Sequence, residues 1–310
     1  MNNELHVIVG TGPLGIALME ELKKRNKQVR MVNRSGQANI SVEVVKGDAT
    51  SYESILQACT GASVIYHCAK PPYSQWPEKF PPITKGLVEA ASAINAKFVY
   101  ADNLYMYGPT EGVLTENLKY NATDQKGKTR AEMAEYVMEA HKNGRVRATI
   151  GRASDFYGPG VLESSLGIQV VKPAIEGKTA SFLGKMDLPH TYTYIHDFAR
   201  GLATLGDREE ALGEVWHIPS AETLTTKQMM SLIYKEVNRE PKYRVASRGL
   251  VSLIGLFNSS MRELKDTFYQ NETPFIVDHR KYEKVFGSEV TPHEKAIKET
   301  VEWYKKYLAM

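Results

Sequence analysis

The stretch Val7-Ile8-Val9-Gly10-Thr11-Gly12-Pro13-Leu14-Gly15 decides how this chain is read. A β-branched apolar run stops at a G-x-G-x-x-G, and apolar residues at helical spacing (Ile16, Ala17, Met19, Leu22) follow at once. Strand, glycine turn and helix in that order suit the diphosphate of a dinucleotide. Gly10 permits a tight turn, Gly12 lets the backbone approach the phosphates, and Gly15 lets helix and strand pack closely. Thr11, Pro13 and Leu14 complete the loop, and the first amides of the helix, at the positive end of its dipole, face the anion. A merely structural glycine turn is the alternative.

Outward from this loop, strand and helix alternate. Val29–Val32 and Val42–Val45 read as strands, Tyr52–Cys59 as a helix, and Ser63–Cys68 as a buried parallel strand. A Pro-rich loop follows, then a helix over Ile83–Ile94, a strand over Lys97–Ala101, a helix over Lys128–His141 and a strand over Arg147–Gly151. The rhythm predicts an α/β fold, a doubly wound parallel (Rossmann) sheet with right-handed crossovers. Past Gly160 it loosens. Residues 1–160 and 191–221 are expected to form the dinucleotide-binding domain. Residues 161–190 and 222–310 are expected to form a smaller C-terminal α/β substrate-binding domain roofing the carboxyl ends of the strands, with helices over Thr226–Val237 and His293–Tyr307.

Composition narrows the classes. With 310 residues, 42 % hydrophobic and 24 % charged, the chain can bury a full core, and disorder is excluded. A net charge of +3, with its lysines and arginines dispersed among acids, gives no nucleic-acid footprint and leaves a small-molecule substrate. Cys59 and Cys68 form no C-x-x-C pair, no metal pattern is present, and both thiols are expected to be buried and inert in a reducing compartment. The longest apolar run in the C-terminal half, Leu250–Phe257, falls far short of the ~20 residues that span a bilayer. The first strand begins too early to leave room for a signal peptide, so a cytoplasmic protein with no membrane partner is expected.

Further motifs follow in order: Lys46-Gly47-Asp48-Ala49, His67-Cys68-Ala69, Leu104-Tyr105-Met106-Tyr107-Gly108-Pro109, Gly151-Arg152-Ala153-Ser154-Asp155-Phe156-Tyr157-Gly158-Pro159-Gly160, and Tyr194-Ile195-His196-Asp197-Phe198-Ala199. Together with the glycine turn they resemble the extended or atypical short-chain dehydrogenases/reductases of the NAD-dependent epimerase/dehydratase family. One departure is that the first glycine of the extended pattern stands one position earlier, where this chain has Val9. The resemblance implies that Asp48, with Ala49, meets adenine and that Ala69 passes the cofactor ribose. It places Asn103 at the active-site Ser/Thr position, and Arg152 and Ser154 beside nicotinamide and substrate. It also implies hydride transfer to or from a small carbonyl, hydroxyl or nucleotide-sugar substrate.

The acid–base residues depart further. Hydride-moving relatives carry Y-x-x-x-K, with phenol and ammonium on one helix face. Aligning Lys128 and Glu132 with that helix puts Asp124 at the tyrosine position. A carboxylic acid of pKa ~3.9 is a poor proton donor to an alkoxide at neutral pH. Asn103 still donates a hydrogen bond through its amide, and Lys128 is expected to hold the nicotinamide ribose. Tyr105 is the first substitute donor to test; Tyr107, Tyr120, Tyr157, Tyr192 and His190 lie on segments near the same end. Two readings stand: an enzyme with a rebuilt acid, and a redox-inactive NAD(P)-binding sensor.

At the end of the second strand, Asn33-Arg34-Ser35 has no carboxylate for a ribose 2′-hydroxyl but offers a guanidinium and hydroxyl for a 2′-phosphate, which favours NADP over NAD. An arginine merely exposed in a polar turn is the alternative. The loop Lys70–Pro77 reads equally as a substrate lid carrying Trp76 or as aromatics packed on the domain. Arg152, His190 and Arg244 are candidate contacts for an anionic substrate, with ordinary ion pairing as the competing role. The apolar faces of the helices Ile83–Ile94 and Lys128–His141 suit either a homodimer, as the resemblance implies, or packing within one subunit.

Overall fold

Seven parallel strands, β1 (Leu5–Val9), β2 (Gln28–Asn33), β3 (Glu43–Lys46), β4 (Ala62–His67), β5 (Lys97–Asp102), β7 (Arg147–Arg152) and β12 (Val215–His217), form the main sheet in the order β12-β7-β5-β4-β1-β2-β3. The structure is a computed structural model that describes residues 4–246, 249 and 267–310; the run Leu250–Phe257 lies outside the described residues. All five β1 residues are buried, as expected of a strand covered on both faces. Strand order reverses between β1 and β4, the switch point beyond whose carboxyl ends doubly wound sheets bind ligands.

The sheet carries α1 (Pro13–Lys24), α2 (Tyr52–Cys59), α3 (Trp76–Ala93) and α4 (Gln125–Lys142). One core joins Val7, Val9, Ile65 and Phe98 of the strands to Leu87, Val88, Met133 and Val137 of α3 and α4. The apolar faces of these two helices are thus used within the subunit. Helix α3 starts seven residues before the expected Ile83, inside the Pro-rich stretch. Pro77 occupies the first turn, where no N–H is required, and burial of Trp76, Phe80, Thr84 and Leu87 along one face outweighs the bonds lost at Pro81 and Pro82. Strand β12 was not expected; three residues are too short to show a period.

Contacts divide the chain into two compact units. The first comprises residues 1–108, 120–152 and 198–218, the second residues 109–119, 153–197 and 219–310. Residues 109–119, 153–160, 191–197 and 219–221 therefore group with the second unit rather than with the sheet. The cause is strand pairing: β6 (Val113–Leu114) pairs with β15 (Ile276–Val277), and β8 (Asp155–Tyr157) with β11 (Tyr192–Tyr194). In the second unit β9 (Ala180–Leu183) also pairs with β14 (Tyr243–Ala246), and β10 (Pro189–His190) with β13 (Leu224–Thr225). Its helices include α5 (Ile168–Glu176), α7 (Thr226–Glu236), α8 (Arg280–Phe286) and α9 (His293–Leu308), while α6 (Ile195–Asp207) leads back to the first unit. Val170, Val171, Met229, Met230, Ile297 and Tyr304 build its core. A capping box of Thr225 and Gln228 starts α7.

Candidate cofactor loop and active site

Each glycine of the first loop has its own physical reason. Gly10 has φ +119°, and a Cβ there would lie 2.7 Å from the Cys68 carbonyl group at the end of β4. A Cβ at Gly15 would drive into the Gly10 carbonyl oxygen. At Gly12 a Cβ would meet nothing within 4 Å. Gly12 is the N-cap of α1, no side chain caps that helix, Pro13 fills its first turn, and no acid stands there. An uncapped helix N-terminus behind open space fits a diphosphate.

The β2 end is tied to this loop. The Asn33 amide donates to Thr11 Oγ1 (3.2 Å) and to the Gln37 carbonyl (2.9 Å), and its oxygen accepts from Ser35 Oγ (3.0 Å) and the Gly36 N–H (2.7 Å). Asn33 and Ser35 thus close a turn, while Arg34 is exposed. Exposed Asp48 accepts from the hydroxyl (2.7 Å) and N–H (2.9 Å) of Thr50, and these bonds hold its carboxyl below the usual range. Ala49 is buried, and a Cβ at Gly86 of α3 would lie 2.7 Å from its carbonyl oxygen. Ala69 is half-buried; its amide lies 2.8 Å from where a Gly10 Cβ would sit. Cys59 is buried as expected, but Cys68 is only partly so.

A buried charge cluster occupies the carboxyl ends of β5, β7 and β12. Asp102 Oδ1 accepts from Arg130 Nε (2.7 Å) and from the Asn103 N–H (2.9 Å), and it also pairs with Arg130 Nη2. Asp102 Oδ2 accepts from Arg152 Nε (3.1 Å). Arg152 Nη1 donates to the Tyr107 hydroxyl (2.7 Å) and Nη2 to the Tyr120 hydroxyl (2.6 Å), while Tyr107 also bonds His217 Nε2 (2.8 Å). Rings of Phe80, Tyr100 and Trp76 surround the Arg130 guanidinium at 4.5, 5.1 and 5.5 Å. Burial works against both guanidinium charges, but the shared Asp102 carboxylate overcomes it and raises their proton affinity above the ordinary arginine value. Nearby, burial drives the His67 imidazole down to about 3, so it sits neutral at 3.1 Å from Thr84 Oγ1.

Helix α4 begins one residue after the position expected for the tyrosine. Asp124 is its N-cap, accepting from the Gly127 N–H at 2.8 Å, and does not stand on the helix face. Lys128 and Glu132 are exposed. The residues that share the buried face with Met133 and Val137 are Lys126 and Arg130, one turn apart and only 5 % and 4 % exposed. Lys126 Nζ stands 4.0 Å from the centre of the Tyr73 ring. Asn103 is half-buried, and its side-chain oxygen accepts from the Tyr105 N–H (3.1 Å). Tyr105 stacks on Trp76 (5.8 Å), whose indole N–H donates to the Pro71 carbonyl (3.2 Å). The 70–77 stretch therefore packs its aromatics on the first unit.

Arg152, expected at the cofactor, is fully buried, with all three nitrogens donating inside the cluster. Ser154 lies in the second unit, where its N–H donates to Thr193 Oγ1 (3.1 Å) and its buried hydroxyl has no hydrogen-bond partner among the described residues. His190, in the same unit, is stacked between Tyr192 (4.5 Å) and Phe275 (5.1 Å), with Nε2 3.2 Å from the Asp155 carboxylate. Tyr157 and Tyr192 are buried and bonded to His293 (2.9 Å) and Thr226 (2.7 Å), and Arg244 donates to Ser181 (3.0 Å). Sequence reasoning missed Asp102, Lys126, Arg130 and His217. A signal existed for two of them: stepping back by three and four from Met133 reaches Arg130 and then Lys126, never Lys128.

The pattern of the NAD dependent epimerase/dehydratase family matches residues 7–218. The chain belongs to that family, which is one of NAD(P)-dependent enzymes. It is 26 % identical over 288 residues to the sterol-4-alpha-carboxylate 3-dehydrogenase, decarboxylating, of Mus musculus, covering 84 % of this chain and 78 % of that one. In fold it is similar to dTDP-glucose 4,6-dehydratase from Bacillus anthracis in complex with NAD (TM-score 0.81, 17 % identity, 98 % and 97 % covered). It is also similar to UDP-glucuronic acid 4-epimerase from Bacillus cereus in complex with UDP-glucuronic acid and NAD (TM-score 0.79, 19 % identity, 98 % and 99 % covered). Among the described residues no helix is long and apolar enough to cross a membrane.

Proposed function

We propose that the chain is an NAD(P)-dependent oxidoreductase of the epimerase, dehydratase or reductase kind, acting on a small carbonyl, hydroxyl or nucleotide-sugar substrate. The observation that carries this is the open Cβ position at Gly12 in front of the uncapped α1. Gly10, Thr11, Gly12, Pro13, Leu14 and Gly15 would hold the diphosphate, Asp48, Ala49 and Ala69 the adenosine side, and Arg34 a 2′-phosphate. NADP is the preferred cofactor in this reading, because no carboxylate stands at the β2 end while Arg34 is exposed there. The bound nicotinamide supplies or accepts a hydride. Asn103 then donates its amide N–H to the substrate oxygen. The nucleotide-sugar option rests on the ligand named for the Bacillus cereus epimerase. The second unit is assigned substrate specificity, and two free cysteines support a cytoplasmic location.

A second reading, a redox-inactive NAD(P)-binding sensor, is favoured by one observation: no tyrosine stands on the buried face of α4 at the family spacing. Calorimetry with NADPH, NADP, NADH and NAD tests the binding common to both readings. Tighter uptake of the phosphorylated forms is expected, with Arg34→Glu shifting the ratio about tenfold toward NADH. No uptake of any of the four defeats both, and a ratio that Arg34→Glu leaves unchanged removes the NADP assignment.

A further inference from the structure

Resting on the oxidoreductase reading, we propose that Lys126 takes the place of the missing phenol, its ammonium delivering the proton to the substrate oxygen as a carbonyl is reduced. Three observations converge on it. Lys126 and Arg130 share the buried face of α4 at i and i+4, the spacing at which relatives carry phenol and ammonium. Arg130, one turn from Lys126, is bonded to Asp102, whose carboxylate also accepts from the N–H of Asn103, so the second member of the helix pair and the Ser/Thr-position residue share one carboxylate. Lys126 is itself 5 % exposed and seated on the half-buried ring of Tyr73, which fixes the reach of an otherwise flexible side chain.

Chemistry separates the two cations. A guanidinium does not give up a proton in a protein, whereas an ammonium both donates hydrogen bonds and transfers protons. Arg130 and Arg152 are therefore fixed positive charges beside Asp102, and Lys126 is the group of the pair that can act as an acid. In reduction the carbonyl carbon gains a hydride and the C=O π pair moves onto oxygen. That oxygen takes a proton from Lys126, and the neutral amine left behind recovers one from water. Oxidation runs the same steps backward. Two nearby guanidiniums around one carboxylate favour the oxygen while it carries negative charge.

The test uses the full-length protein. Sodium oxalate, a small oxyanion standing for the developing alkoxide, is titrated calorimetrically with and without NADPH. Lys126→Met should weaken oxalate about tenfold or more, while thermal unfolding stays within a few degrees of the parent. Lys126→Arg should keep most of the oxalate affinity yet slow NADPH oxidation by 9,10-phenanthrenequinone ~100-fold, because a guanidinium binds the oxygen but supplies no proton. Oxalate binding that ignores Lys126→Met, or that responds instead to Lys128→Met, overturns the proposal. So does a Lys126→Arg rate equal to the parent's. Failure to take up NADPH, seen before oxalate is added, would count against the proposed function instead.

Discussion

Two sets of strand ends on the same sheet solve their problems with different parts of the chain. At the β1 end, backbone does the work: three glycines set a turn, a close packing contact and an open approach, and no side-chain charge is needed. At the β5–β7 end, side chains do it, with one buried carboxylate holding two buried guanidiniums from elements 28 and 50 residues away. Backbone geometry depends on a residue type at a fixed local spacing, so it stays close to the family pattern. A charge cluster depends on pairs remote in sequence and can be rebuilt so long as the pairs change together.

The largest expected effect breaks the second end. Asp102→Asn keeps the shape but turns one accepting oxygen into an N–H donor and leaves Arg130 and Arg152 buried without a counter-charge. Removing one partner of a buried pair costs roughly 3–5 kcal/mol. Urea unfolding at pH 7.5 should show a loss of that size. A loss under ~1 kcal/mol would mean that the cluster relaxes into solvent and that the contrast between the two ends is false.

A smaller effect separates two jobs within the first end. Gly12→Val meets open space, so stability should stay within about 1 kcal/mol of the parent while cofactor affinity falls ~100-fold. Gly15→Val forces a side chain into the Gly10 carbonyl and should cost stability first, by ~2–4 kcal/mol. Paired thermal melts and calorimetry decide it. If Gly12→Val binds cofactor like the parent, the loop does not grip a diphosphate.

The same contrast explains what was legible in the sequence. The helix Tyr52–Cys59 has in the structure the bounds that its sequence predicts, because apolar period and glycine punctuation are local signals. Helix α3 was cut short because three prolines outvote a helical face whose burial only the tertiary structure reveals. On α4 the residues at the family spacing, Lys128 and Glu132, are exposed, and the buried Lys126 and Arg130 are marked in the sequence only by their spacing from Met133. Arg152 is legible as a residue of the site, with Tyr107 and Tyr120 near the same end, but not as a sealed one, because Asp102, which holds it, carries no mark of proximity in the chain.

The smallest effect compares two histidines on adjacent strands. Burial, chiefly, drives His6 on β1 down to about 4 and His67 on β4 down to about 3. Both lie below the ordinary imidazole value of 6.5, so between there and the folded values the unfolded chain binds protons that the fold refuses. Stability is therefore full above pH ~6.5 and falls as the pH drops, by ~1.4 kcal/mol per unit for each histidine. Asp48, Asp207, Asp278, Glu176 and Glu209 are also held low, but their contribution is lost chiefly below pH ~4.5, so at pH 5 the histidines dominate the loss. His67→Gln, which keeps a donor for Thr84, should recover ~2 kcal/mol of the stability lost between pH 7.5 and pH 5. His6→Gln should recover a similar amount, with Tyr66 as the retained partner at 3.0 Å in the parent. If the urea midpoints of either variant fall with pH as steeply as the parent's, that histidine already takes up its proton inside the fold.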